Sequence, residues 1–398
     1  MDPAQGQVAR RSFVPACGIV MRSLFQHQAP DQGASANQGR VFSAIAKIHH
    51  IFFVSLASPE TIAMKIRLVL LYSIVFHAGA AFPSNAQSHH FIPSVYYREF
   101  TSAVAPILHI NQGDTVLTES VDAVGIDKTG KKVAERGNPL TGPFYIEQAA
   151  PGDVLAITIT SLSLNRDYAT TLNALIPKMM EKKMAMKTWR SAKLVKWILD
   201  TISMKGTAAP QFERLKGMSL PLHPFLGCVG VAPEGKGLSS GGTGDCGGNI
   251  DLKYVTAGAT VYLPVFHAGA MLFLGDGHAA QGDGELNGDA LETSMRFSFT
   301  VRIIKQVAAA MPTPMIEDAD HLMMLGMAKT LDEAMRAATM KLTAWLQLEY
   351  GLDQAEASQV IGPAVEYRIP KVAATQVEVV ALLSKELIKG LKKADDGK

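Results

Sequence analysis

Gly275-Asp276-Gly277-His278-Ala279-Ala280-Gln281-Gly282-Asp283-Gly284-Glu285 holds two Asp, one Glu, one His and one Gln between glycines and alanines. Nothing in it can build a core. Before it, Thr260–Leu274 is apolar and reads as one buried strand. After it, Thr293–Ile304 alternates apolar and polar and reads as another. The polar stretch is therefore expected to be a glycine-rich connection between two strands, its glycines permitting positive φ and close backbone approach. Carboxylates and an imidazole on such a connection suit a hard or borderline metal ion. The plain alternative is a solvated hairpin whose Asp and Gly residues only make turns.

Outward from this stretch the chain is mainly β with α additions, an α+β class with a sandwich- or barrel-like core. In the N-terminal β-rich part, 87–177, Ala105–Leu108 and Asp114–Glu119 alternate in strand fashion around the turn Asn111-Gln112-Gly113-Asp114. Phe144–Ile146 and Asp153–Leu162 follow, the second after the turn Pro151-Gly152-Asp153. Short strands with turn signals between them point to sandwiches or barrels. Residues 178–217 read as a helical insertion, rich in Lys, Met, Ala and Leu, with Trp189, Val195, Trp197 and Ile198 as apolar points. A second β-rich part, 218–308, carries the glycine-rich stretch. The part 309–398 is expected to be helical. Leu331–Glu349 places Leu331, Ala334, Met335, Ala338, Leu342, Trp345 and Leu346 on one face, with Thr330 and Glu333 as a capping box. Further helices are expected from Leu352 and over Gln376–Lys393.

The chain has 398 residues and a net charge of +2. That length predicts more than one domain. Mixed charge signs argue against a nucleic-acid partner. Only Cys17, Cys228 and Cys246 are present, which excludes a disulfide scaffold or a cysteine-rich zinc module; Cys228 and Cys246 could pair if the protein is exported. Export is expected from 64–86. Met64-Lys65-Ile66-Arg67 is basic, Leu68–Ala81 is apolar, and Ser84-Asn85-Ala86 offers the small residues a signal peptidase reads. On this reading Met64 is the true start, residues 1–63 come from an over-extended gene model, and the mature protein is periplasmic or secreted. The rival is a signal anchor with a short cytoplasmic tail.

Asn138-Pro139-Leu140-Thr141-Gly142-Pro143-Phe144-Tyr145-Ile146-Glu147 is followed by Pro151-Gly152-Asp153-Val154-Leu155, by His223-Pro224-Phe225-Leu226-Gly227-Cys228-Val229-Gly230-Val231-Ala232-Pro233, and by Gly247-Gly248-Asn249-Ile250-Asp251-Leu252-Lys253. With the opening stretch behind them, these motifs resemble the acetamidase/formamidase family in order, over about His89 to Lys393. The resemblance implies a mainly β, metal-dependent enzyme that hydrolyses the C–N bond of a small linear amide to carboxylate and ammonia. Two features stand outside it: the segment 178–217 and the signal peptide.

An unactivated amide needs a strong nucleophile, a stabilised oxyanion and a proton for the leaving amine. A divalent metal can supply the first two, and a carboxyl of raised pKa the third. Zinc is the expected ion, with calcium as the other candidate. His278 is the nitrogen ligand; Asp276, two residues away, faces the same side of an extended segment. Asp283 and Glu285 repeat that spacing, and Glu119 and Asp122 could add ligands from the N-terminal half. Glu285 is expected to be the proton shuttle, with Asp251 and Gln281 as further catalytic candidates. Asn249, Gly248 and Asn138 are candidates for holding substrate. For each carboxylate and amide outside the central stretch, a turn or surface role is the competing reading. The lone histidines His109, His223, His267 and His321 read as structural.

Three other functions compete. Leu238-Ser239-Ser240-Gly241-Gly242 superficially resembles the serine motif of the amidase-signature hydrolases, without their lysine motif upstream. Cys228 would serve a cysteine amidase, although an apolar run makes a buried, inert thiol the default. A secreted β-sandwich binding protein with a structural metal is the non-enzyme alternative. The expected partners are a small amide and a second copy of the chain in a homodimer.

Overall fold

The structure is a computed structural model that describes residues 86–394; the segment 1–63 and nearly all of the predicted signal peptide lie outside the described residues. The fold is a sandwich of two sheets, as the turn-punctuated strands predicted. One is nine-stranded, in the order Ser88–His90, Thr115–Ser120, Met295–Ile304, Val154–Leu164, Thr260–Pro264, Met315–Glu317, His321–Ala328, Val377–Ser384, Glu366–Arg368. The other is six-stranded, in the order Thr243–Gly244, Gly247–Asn249, Phe225–Val231, Leu272–His278, Leu140–Ile146, Leu108–Ile110. Their inner faces share one core, in which Leu155, Ile157, Ile159, Phe297 and Phe299 meet Phe144, Leu226, Val229, Leu272 and Leu274. Phe144 and Phe299 join the sheets edge to face at 5.1 Å.

Helix α2, residues Leu331–Tyr350, covers the outer face of the larger sheet. Ala338, Leu342 and Leu346 pack with Leu322, Met324, Ala381 and Leu383, the alternate residues of strands whose other side chains enter the sandwich core. Thr330 caps α2 by position only: its hydroxyl donates to Glu333 Oε2 at 2.9 Å and makes no bond to the helix backbone. The reciprocal capping box forms one helix later, at α3 (Gln354–Ala364), between Asp353 and Glu356. No helix among the described residues is long and apolar enough to cross a membrane.

Four expectations are corrected. Thr260–Leu274 is two strands in different sheets, joined through 265–271. The segment 178–217 holds one short α-helix, α1 (Lys182–Arg190), and a 3-10 turn at Glu213–Leu215, and is otherwise mostly strand and turn. Leu194–Asp200 and Lys205–Ala208 form a four-stranded sheet with Tyr168–Leu172 and Leu220–Pro221. Val195, Trp197 and Leu199 repeat every second residue, and that period of two outweighs the helix-favouring lysines. The part after 309 is not all helical: Met315–Glu317, His321–Ala328 and Val377–Ser384 are strands of the large sheet. These strands are buried on both faces, one by the second sheet and one by α2, so their sequence is a continuous apolar run without a period. The fourth correction, of the glycine-rich stretch, belongs to the site.

Gly326 lies where α2 crosses the sheet, and a Cβ there would sit 2.1 Å from Ala334 O and 2.4 Å from Ala338 N. Gly326→Ala must push the helix backbone off the sheet. It is expected to cost about 3 kcal/mol in chemical denaturation.

Candidate functional site

Only the last seven residues of the opening stretch, Ala279–Glu285, belong to a connection. Gly275, Asp276, Gly277 and His278 are the end of the strand Leu272–His278, which pairs antiparallel with Phe225–Val231. Its glycines serve close packing within the sandwich: a Cβ on Gly277 would meet Thr293 O at 2.8 Å, and one on Gly275 would meet Pro139 O at 3.0 Å. The true connection runs from Ala279 to Ser294 and is mostly buried. At its bend, Gly284 has φ +91 and Glu285 φ +49. That twist breaks the expected pairing of Asp283 with Glu285. Asp283 turns outward to Lys253, 3.2 Å away at the surface, and Glu285 turns inward.

The inward-facing residues form one cluster. Asp251, Asp276 and His278 each offer a ligand atom within 4.8 Å of the others, as do His278, Glu285 and Glu292. His278 Nε2 lies 3.2 Å from Glu292, 3.5 Å from Asp276 and 3.9 Å from Asp251. Asn138, Asp251, Asp276 and Glu285 all have positive φ, so the fold holds non-glycine residues in a strained backbone here. Gly227, on the neighbouring strand, keeps the cluster open. A Cβ there would come within 2.7 Å of Asp251 Oδ1, 2.8 Å of Asp276 Oδ2 and 2.9 Å of His278 Cε1.

Hydrogen bonds set the orientation of each group. Gln281 Nε2 donates to the carbonyls of Asp251 and Pro370 at 2.9 and 3.0 Å, which leaves its Oε1 as an acceptor 2.9 Å from His278 Nδ1. Nδ1 must therefore carry a hydrogen, which leaves Nε2 as the ring atom that faces the acids. Asn138 donates to Asp276 Oδ2 at 2.8 Å and to Asn249 Oδ1 at 3.2 Å. Asn249 in turn donates to Asp251 Oδ2 at 2.6 Å. The amides expected to hold substrate or take part in catalysis thus orient the imidazole and the carboxylates. Gly248, with φ +120, packs its backbone against Gly242 O, where a Cβ would lie at 2.4 Å. Among the described residues, Asp251 Oδ1, Asp276 Oδ1, His278 Nε2 and Glu292 Oε2 are buried without a hydrogen-bond partner. Buried polar atoms are rarely left so. Asp251 Oδ1 and His278 Nε2 lie 3.9 Å apart beside Gly227, and these two fit a bound cation.

Glu119 and Asp122 are not brought to this cluster. Glu119 accepts from Lys128 at 2.8 Å and Arg296 at 3.1 Å. Asp122 accepts from Arg166 at 2.8 Å and from the backbone N–H groups of Val124 and Ile126. Cations and backbone donors already satisfy both carboxylates. Glu292, Lys371 and Glu378 are the site residues that sequence reasoning missed. Glu292 follows the quoted stretch by seven positions, and Lys371 and Glu378 sit in a part read as helical. Lys371 Nζ reaches Asp251 Oδ2 at 2.6 Å and Glu378 at 3.5 Å.

Neither competing nucleophile is poised. Ser240 is buried and donates to Gly137 O at 2.7 Å. Cys228 and Cys246 are free and buried, so the possible disulfide does not form. Cys228 Sγ lies 3.0 Å from Asn249 Oδ1; burial, and after it the Asp276 and Asp251 charges, raise its pKa well above the usual thiol range, which keeps it protonated. The open cleft on the large sheet, between Thr158, Tyr262, Arg302 and Glu317, holds none of the clustered acids.

A family model described as the acetamidase/formamidase family matches residues 93–242 and 239–372. The chain belongs to the acetamidase/formamidase family. Within those spans fall Asn138, Asp251, Asp276, His278, Glu285, Glu292 and Lys371. The crystal structure of an acetamidase from Bacillus halodurans is 26% identical, with a TM-score of 0.66 over 76% of this chain and 99% of that one. An acetamidase from Yersinia enterocolitica is 28% identical, with a TM-score of 0.65 over 80% of this chain and 98% of that one. A Schizosaccharomyces pombe protein named "putative formamidase" is 26% identical over 264 residues, 52% of this chain and 64% of its own length, so the chain spans just under two thirds of that relative.

The buried acids give this family member a pH signature. Burial is the largest influence on both Glu292, pushed up from 4.5 to about 8, and Glu378, pushed up from 4.5 to about 7. Above 4.5 the unfolded chain releases these protons while the folded chain keeps them. The stability they contribute is therefore complete below 4.5 and lost as pH rises through 7 and 8. Protein dialysed against a chelator is expected to melt at a lower temperature at pH 8 than at pH 5 in a calorimeter. A midpoint that rises over this interval would contradict the account.

Proposed function

We propose that the chain is a metal-dependent amidohydrolase that cleaves a small linear amide to a carboxylate and ammonia. The observation that carries this reading is the buried trio Asp251, Asp276 and His278 beside Gly227, whose ligand atoms lie within 4.8 Å of one another and of which Asp251 Oδ1 and His278 Nε2 have no hydrogen-bond partner among the described residues. Asp251, Asp276 and His278 would hold the ion. Ligands about 2.0–2.2 Å from one ion lie roughly 3–4 Å apart, and the spacings from His278 Nε2 to the two aspartates fall in that range. An imidazole among the ligands favours zinc over calcium, which takes oxygen ligands. When bound, such an ion polarises the amide carbonyl and lowers the pKa of water.

The chain's own groups do the rest. Gln281 holds the His278 tautomer, and Asn138 fixes Asp276. Glu285 is buried, and that burial, with the Asp251 charge next, raises its carboxyl well above the usual range. A carboxyl raised in this way holds its proton more firmly than an exposed one, and can pass it to the departing nitrogen and recover one from water. The imidazole also disfavours a binding protein built around structural calcium. Export with the leader 64–86 and a homodimeric assembly belong to the same proposal; N-terminal sequencing of periplasmic protein and light scattering check them.

The test is ammonia release from formamide, acetamide and propionamide by metal-stripped and zinc-reconstituted protein. Activity is expected only after reconstitution; equal turnover by stripped protein would remove the metal from the reading. His278→Ala should lose zinc and turnover together and still fold. Glu285→Gln should keep zinc and lose about 10²–10⁴-fold in kcat, because an amide cannot exchange the proton. Loss of zinc in Glu285→Gln would make Glu285 a ligand instead.

A further inference from the structure

The proposed reaction leaves one buried cation without a role. Lys371 is only 2% exposed. Its ammonium hydrogens are all used: on Asn249 O at 2.5 Å, on Asp251 Oδ2 at 2.6 Å, and toward Glu378 Oε1 at 3.5 Å. It has no hydrogen left for a substrate. Asp251 Oδ2 also accepts from Asn249 Nδ2 at 2.6 Å, whereas Asp251 Oδ1 has no hydrogen-bond partner among the described residues. The two oxygens of one carboxylate are thus divided, one tied to the chain and one facing the opening beside Gly227.

We propose that Lys371 is a positioning residue, which by saturating Asp251 Oδ2 presents Asp251 Oδ1 to the ion. This rests on the metal reading above. Three features support the assignment. Asp251 has φ +47, a backbone conformation that must be held from outside. Lys371 grips the Asn249 carbonyl as well as the Asp251 side chain, so it fixes both ends of that turn. Its own segment is anchored to the bend that delivers Glu285, through Gly284 N to Ile369 O at 2.6 Å and Val372 N to Gly284 O at 3.1 Å. Glu378, from the strand Val377–Ser384, meets the ammonium from the other side and takes no part in orienting Asp251.

The experiment is zinc titration of metal-stripped protein by calorimetry, with kcat and KM measured after reconstitution. Lys371→Met is expected to weaken zinc binding by about 10–100-fold, with a circular dichroism spectrum like that of the wild type. Glu378→Gln should stay within about 3-fold of the wild type in zinc affinity, well inside that range, because the bonds from Lys371 to Asn249 and Asp251 remain. Removing Lys371 alone strands two buried charges, so Lys371→Met/Glu378→Leu, which removes the second one, is measured beside it. This double variant should show the same loss of zinc affinity. Unchanged affinity in a folded Lys371 variant overturns the proposal. So does failure of both Lys371 variants to fold, which would assign the residue to the core. If the wild type itself binds no zinc, the metal reading fails, and that result is distinct from either.

Discussion

Asp251, Asp276, Glu285, Glu292 and Glu378 are all buried at one end of the sandwich, and Lys371 is the one lysine among them. Burying carboxylates without counter-charge is costly enough that the groups take up protons or bind a cation instead. The raised carboxyls of Glu285, Glu292 and Glu378 are the first response. A raised His278 is a related one: burial opposes a charged ring, but the Glu292 and Asp276 charges outweigh it. The unpartnered Oδ1 of Asp251 and Nε2 of His278 are what an ion would satisfy. Each response follows from one constraint, a negative surplus that the fold encloses.

The fold meets that constraint by bringing distant segments together without space between them. Gly227, Gly275 and Gly277 let neighbouring backbones and acids approach where any Cβ would collide. The amides of Asn138, Asn249 and Gln281 act as fixed braces, each linking one chemical group to backbone or to another brace. The stretch from Leu172 to Trp189 pins the bend from outside. Ile176 N donates to Leu286 O, Asn287 donates to Leu172 O, and Lys178 donates to Val372 O and Ala374 O. Leu172 and Ile176, just ahead of the segment 178–217, thus brace the Glu285 bend, and Lys178 within it braces the loop that carries Lys371.

The sandwich, the strands near Asp114–Glu119, Phe144–Ile146 and Asp153–Leu162, and α2 were legible because strand alternation and helix periodicity are local consequences of one buried face. Val377–Ser384 and His321–Ala328 were not, because burial on both faces erases the period that distinguishes strand from helix. Leu194–Asp200 was misread through composition, although its period of two was present.

At the site, the sequence by itself determined the chemistry of the central stretch: Asp276 and His278 two apart on an extended backbone must face the same side. It also determined that glycines there allow close approach, and that a carboxyl lies at 285. Tertiary structure alone decided which carboxylates share the enclosure. Asp283 and Glu285 have the same spacing as Asp276 and His278, yet positive φ at Gly284 and Glu285 sends them apart. Glu119 and Asp122 are as acidic as any member of the cluster, but Lys128, Arg296 and Arg166 reach them first. Lys371 stands 120 positions from Asp251 in the chain and touches it in the fold. Local sequence records which groups can ionise; only the packed chain decides which charges are enclosed together, because Coulomb energy and desolvation depend on distance in space.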